Sequence, residues 1–152
     1  MCKILFSFAL VRGLKVMDKE LITFIKRHHV LSICSLEEGK TWSASCFYAF
    51  WEEECAFVFA SDENTRHMKN IVKNPFVSGT IILETKEIGL IQGLQFEGSA
   101  KKACMDAKQL YFEAYPFARA LFPKLWQIEI TYAKFTDNRL GFGKKIEWRA
   151  GE

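Results

Sequence analysis

The sequence predicts a mainly β protein, a small antiparallel barrel with peripheral helices, and three stretches carry that prediction. VLSICSL, TWSASCFYAF and CAFVFAS are apolar runs separated only by the turn-like EEGK and WEEE, the pattern of a three-stranded meander. LWQIEITYAKFTD alternates apolar and polar residues, which puts Trp126, Ile128, Ile130 and Tyr132 on one face of a half-buried strand. GLIQGLQFEGSAKKA is strand-like with three glycines, as expected where a strand bulges or bends sharply to turn the corner of a barrel.

The remaining elements follow in chain order. Asp18 is placed to cap a helix in which Leu21, Phe24, Ile25 and His28 share a face, running to about His29. After the meander, SDENTRH leads from the third strand into a short basic helix from Thr65 to Lys73. Pro75 stops that helix, because it restricts the residue before it and has no N–H to donate. FVSGTIILET reads as a strand, DAKQLYFEAYPFARALF as a helix broken near Pro116, and IEW as a last strand.

Composition narrows the classes of function. A chain of 152 residues, 49% hydrophobic, is the size of one domain with one core. Its 21 basic and 18 acidic residues leave +3, far below the surplus of a protein that tracks phosphates, so nucleic acid is not an expected partner. The five cysteines, Cys2, Cys34, Cys46, Cys55 and Cys104, show no metal-finger spacing and read as small hydrophobes of a reducing, cytoplasmic compartment. The apolar run Ile4–Val11 is too short to span a bilayer and lacks a cleavage pattern. Residues 1–16 are therefore expected to be a leader or upstream extension, with a single domain over 17–152, and no membrane partner is expected. His28 and His29 point to different helix faces, so no metal site is expected; His28 reads as packed and His29 as exposed. Glu52, Glu53 and Glu54 read as a solvated turn.

The stretch from Phe57 to Pro75, with Glu97-Gly98 and Tyr111-Phe112, resembles the flavin-binding split β-barrels related to pyridoxamine phosphate oxidase. FYAFWEEE, TRH, SGTI, IQGLQFEG and KFTDNRLGFGKK resemble more closely the YhbP family of uncharacterised bacterial proteins in that superfamily. The resemblance implies a split barrel that binds FMN. Ser61, Thr65, Arg66 and His67 would hold the phosphate, Ser45, Cys46 and Phe47 would lie along the isoalloxazine ring, and Gln92 would contact the cofactor. Physical chemistry agrees at the hinge: a helix start favours an anion, hydroxyls donate, and arginine forks onto phosphate oxygens. His67 stands where the oxidases carry lysine, so its charge is conditional.

The substrate end departs from the oxidase pattern. Ser45 and Phe50 stand in place of an arginine and a substrate-binding lysine, and Tyr115 in place of the arginine that grips the vitamin's phosphate. Tyr111 is kept, and Arg119 replaces a serine. Each lost charge-assisted hydrogen bond costs about 1.5–3 kcal/mol, which argues against pyridoxamine phosphate as substrate. Two classes of function stay open: an FMN-dependent oxidoreductase acting on an unidentified small molecule, and a non-flavin module that holds haem or another flat ligand, or no cofactor. Ser61, Thr65 and Arg66 favour the first; His67 in place of lysine, and Gly93 standing where a glutamine is expected, favour the second. Trp42, Trp51 and Trp148 are candidates to line a flat-ligand cleft. A homodimer with the cofactor cleft between subunits is expected.

Overall fold

The computed structural model describes residues 16–152. The expected leader lies outside the described residues apart from Val16, which is exposed, whereas Met17 is buried.

Among the described residues seven strands form one antiparallel sheet: β1 (Val30–Glu37), β2 (Lys40–Trp51), β3 (Ala56–Ala60), β4 (Phe76–Ile82), β5 (Gln92–Lys102), β6 (Leu125–Asp137) and β7 (Lys145–Arg149). Their order is β3-β2-β1-β4-β5-β6-β7, and β3 also pairs with β6, with Phe57 opposite Ile128. Six strands thus close into a ring, and β7 lies on β6 outside it. The β1–β2 hairpin turns on Glu38 and Gly39, both with positive φ (49° and 73°), the backbone a two-residue turn needs to match the strand twist.

Phe24, Phe57, Phe59, Phe96 and Phe135 fill the ring and are fully buried. Phe57 lies 4.8 Å from Phe96, and Phe24 lies 4.8 Å from Phe135, between ring centroids. Gly79 is required by this packing. A Cβ there would meet the Ser32 carbonyl oxygen and the Phe96 ring at 2.3 Å.

Helices cover the two ends of the ring. α1 (Lys19–Arg27), capped by Asp18, drives Leu21, Phe24 and Ile25 into the end where β1 starts and β2 finishes. There the Tyr48 hydroxyl donates to the Ile25 carbonyl at 2.6 Å. α2 (Arg66–Lys73) covers the opposite end with Met68 and Ile71, tied to β1 by a 3.1 Å Asn70–Ser35 hydrogen bond. α3 (Met105–Ala114) packs outside the ring, where Ala107 and Tyr111 meet Ala49 and Val58.

Several expectations need correcting. Tyr132 does not share a face with Ile128 and Ile130. Glu97 pairs with Tyr132 but Gly98 pairs with Ile130, so Thr131 is an inserted residue and the alternation reverses beyond it. Gly98 permits the bulge, since a Cβ there would meet the Glu129 carbonyl oxygen at 2.5 Å. Cys55 is not in a strand: it has φ 47° and donates its N–H to the Glu52 carbonyl, closing the turn. The first helix ends at Arg27 rather than His29, and a short 3-10 turn at Ile88–Leu90 precedes β5. Trp148 is buried rather than exposed at a surface.

Candidate functional site

The hinge after β3 is built from its own polar groups. Thr65 caps α2, its Oγ1 accepting from the Met68 N–H at 3.4 Å and donating to the Asp62 carbonyl at 2.8 Å. His67, one residue into the helix, turns inward and is buried. Its Nε2 lies 2.6 Å from Ser61 Oγ and 3.3 Å from Thr65 Oγ1. Burial pushes the His67 imidazole below its ordinary range, so at neutral pH it is uncharged. Trp126 completes the group by donating Nε1–H to the Ser61 carbonyl at 3.1 Å. Arg66 points elsewhere, its guanidinium carbon 4.2 Å from the centre of the Trp42 ring. Ser61, Thr65 and His67 therefore come together as expected, but they bond to one another, and Arg66 stands apart from their hydroxyls.

Along β2 the residues alternate. Cys46 faces the core, and burial pushes its thiol up to about 11; Ser45 and Phe47 face outward. Phe47 is 55% exposed, which is high for a phenylalanine in the middle of a strand. His29 stacks on it with centroids 5.9 Å apart and planes within 8°, and Tyr115 meets its edge at 6.0 Å. Tyr115 is held by a 2.6 Å hydrogen bond to the Tyr48 carbonyl and packs on Tyr111 at 4.9 Å. Burial raises the pKa of both tyrosines, so they stay protonated donors. Phe50, Tyr115, His28 and His29 line one cavity of about 420 Å³ between α1, β2 and α3. Arg119 stacks over Phe112 at 4.7 Å, beside this aromatic group.

Gln92 is not brought to the hinge. Strand register places it, opposite Asp137, at the α1 end of the ring, whereas Ser61 lies at the α2 end. It is 2% exposed and accepts a 2.8 Å hydrogen bond from Arg27 Nη2. Sequence reasoning missed His29, which it read only as exposed, and the Arg27–Gln92 pair. No periodicity signals a contact between residues so far apart in the chain.

The outer surface of β2, β1, β4 and β5 is the other notable feature. Ser43, Ser45, Ser32, Cys34, Ser78 and Thr80 pair across strands to make a central strip of small groups. Exposed Val30, Phe47 and Ile82 border it at the α1 end, and Leu36 and Phe76 at the other. Among the described residues no group of His, Cys, Asp or Glu is arranged to hold a metal ion, and no helix is long and apolar enough to cross a membrane.

A six-stranded antiparallel ring with one strand outside it, closed by a helix at each end, is the split β-barrel of the pyridoxamine phosphate oxidase-like class, and solved structures share it. The chain is similar to a heme-binding protein from Mycobacterium smegmatis (TM-score 0.67, 17% identity, 80% of this chain), although it spans only 52% of that protein. It is also similar to a FAD-binding protein from Mesorhizobium loti (TM-score 0.65, 10% identity, 76% of this chain and 89% of that one). HutZ, the heme storage protein of Vibrio cholerae, is a third (TM-score 0.59, 14% identity, 90% and 96%). No family model matches the chain. It is 36% identical over 129 residues to a UPF0306 protein of Yersinia pseudotuberculosis, covering 82% of this chain and 88% of that one, and an equal match is found in Yersinia pestis. The chain belongs to the UPF0306 family.

Proposed function

We propose that this protein binds a flat conjugated cofactor of the haem or flavin class, gripped by the face of its ring, with a second copy of the chain closing the open sheet surface. The observation that carries the reading is the aromatic shelf of Phe47, His29 and Tyr115. Two parallel rings left on the outside of a strand offer a stacking surface that the protein's own core does not use. Similar folds in proteins named for heme and FAD binding support a ligand of this shape. Within the shelf His29 supplies an exposed imidazole, a ligand type suited to haem iron. A flavin, when bound, would supply hydride or electron transfer; the chain's own part would be to orient the ring and exclude water.

The phosphate grip fits less well. Ser61, Thr65 and His67 are satisfied by one another, and an uncharged imidazole contributes little to holding a dianion. The reading is therefore a ligand held mainly by its rings, and FMN should bind no more than about tenfold tighter than riboflavin, below the 1.5–3 kcal/mol expected of a charged hydrogen bond.

Titration of the purified chain with hemin, FMN and riboflavin, followed by absorbance and fluorescence, tests this. Saturable binding of at least one ring system, weakened in Phe47→Asp, is expected. Absence of saturation by all three would sink the proposal. FMN binding far tighter than riboflavin binding, and lost in Arg66→Ala, would return the hinge to the role of a phosphate cradle. Light scattering during size-exclusion chromatography should give twice the 17.6 kDa chain mass, and Ser45→Arg should reduce it to one.

A further inference from the structure

At the α1 end of the ring, two openings of about 270 and 450 Å³ are both lined by Arg27, Gln92 and Arg139. Gln92 is 2% exposed, and its carbonyl oxygen is occupied by Arg27 at 2.8 Å. Its amide nitrogen has no partner among the described residues. The residue itself lines both openings. A buried amide with two unspent donors is costly unless something polar meets it.

The neighbouring charges say what would meet it. Arg139 is forked onto Asp137, through Nε at 3.0 Å and Nη2 at 2.8 Å, and this pairing holds the buried carboxyl below the usual range and ionised. Among the described residues Arg27 hydrogen-bonds only to the neutral Gln92, and the Asp137 carboxylate, which feels its charge, is already forked by Arg139, so Arg27 keeps donors for a ligand. Lys19 and Glu20 lie on the same rim and offset each other. Leu83, Leu90 and Leu140 supply apolar lining, with Thr23 and His28 beside them, and Phe24 and Phe135 lie buried beneath.

We infer that this cleft is a binding site for a small organic oxyanion, a carboxylate or phosphate on an apolar body, held by Arg27 and the Gln92 amide. Arginine supplies forked donors matched to such a group, and the half-exposed leucines accept the body. The site lies at the opposite end of the ring from the hinge and does not depend on a flat cofactor.

The test is titration of the full chain, at constant ionic strength, with phenyl phosphate, benzoate and inorganic phosphate, followed by NMR of the Gln92 side-chain amide and the arginine Nε–H signals. Saturable shifts of these signals with phenyl phosphate or benzoate are expected, and the tighter of the two identifies the headgroup. Inorganic phosphate should bind more weakly. Arg27→Gln should weaken the better probe roughly tenfold or more, the scale of one charged hydrogen bond, while Arg66→Gln should leave it unchanged. Gln92→Glu, which replaces the two donors by a carboxylate in nearly the same volume, should abolish binding without loss of fold. Shifts that rise linearly without saturating, that sodium chloride reproduces, or that persist unchanged in Arg27→Gln would overturn the assignment. The wild-type titration stands as a test even if a variant fails to fold.

Discussion

The two faces of strands β1, β2, β4 and β5 differ more than any two ends of the molecule. Inward, these strands present Leu31, Ile33, Tyr48, Ile81 and Phe96, all nearly or wholly removed from water. Outward, β1, β2 and β4 present serines, a threonine and a cysteine, bordered by exposed aromatic and aliphatic side chains, and β5 presents Gln95 and Glu97. Adjacent residues of one strand thus serve opposite purposes. The inner face is a close-packed core in which volume is tightly specified, and the outer face is flat, small and unspent. Mutations on the inner face should therefore read out stability, and mutations on the outer face should read out binding.

The largest expected effect sets two phenylalanines against each other. Phe57→Ala removes a fully buried ring packed on Tyr48 and Phe96, and should cost about 3–5 kcal/mol in urea unfolding. Phe47→Ala, on the outer face, should cost well under half as much while weakening ring-ligand binding. Equal losses of stability would break the comparison. Next, Gly79→Ala should destabilise by ~3 kcal/mol, because its methyl group meets backbone and a buried ring that cannot both give way. Gly39→Ala, by contrast, strains a positive φ but meets nothing within 4 Å, so it separates backbone strain from overpacking.

A smaller effect lies where the core meets the hinge. The folded-state pKa of His67 is lowered from its ordinary 6.5 by burial. The unfolded chain therefore takes up a proton that the folded chain refuses. The contribution of a neutral His67 is complete above about pH 6.5 and is lost as pH falls through the depressed folded value. The urea midpoint of the wild type should drop more between pH 7.5 and 5.5 than that of His67→Gln; parallel drops would mean that the imidazole is not held neutral. The smallest effect is expected on the outer strip, where Ser45→Ala should shift stability by no more than about 0.5 kcal/mol.

Much of the fold is legible in the sequence because its signals are local. The alternation of LWQIEITYAKFTD coincides with β6, Thr65 caps α2, and EEGK makes the first hairpin. Tyr132 shows the limit: one inserted residue reverses a face, and periodicity cannot announce an insertion that only the partner strand defines. The candidate site is less legible. Ser61, Thr65 and His67 were recognisable as a group, since they lie within seven residues of one another.

What the sequence by itself determined is the set of elements, their caps and turns, and which residues of each strand are apolar, because these depend on neighbours a few bonds away. Tertiary structure alone decided that the strands close through β3 and β6, that His67 is spent on Ser61 and Thr65, and that Arg66 stacks on Trp42. It also decided that Gln92 sits with Arg27, 65 residues away in the chain, rather than at the hinge. The physical reason is that a hydrogen bond or a stacked ring needs two groups within a few ångströms at a fixed angle. For groups distant in the chain, that geometry is set only when the ring of strands has closed.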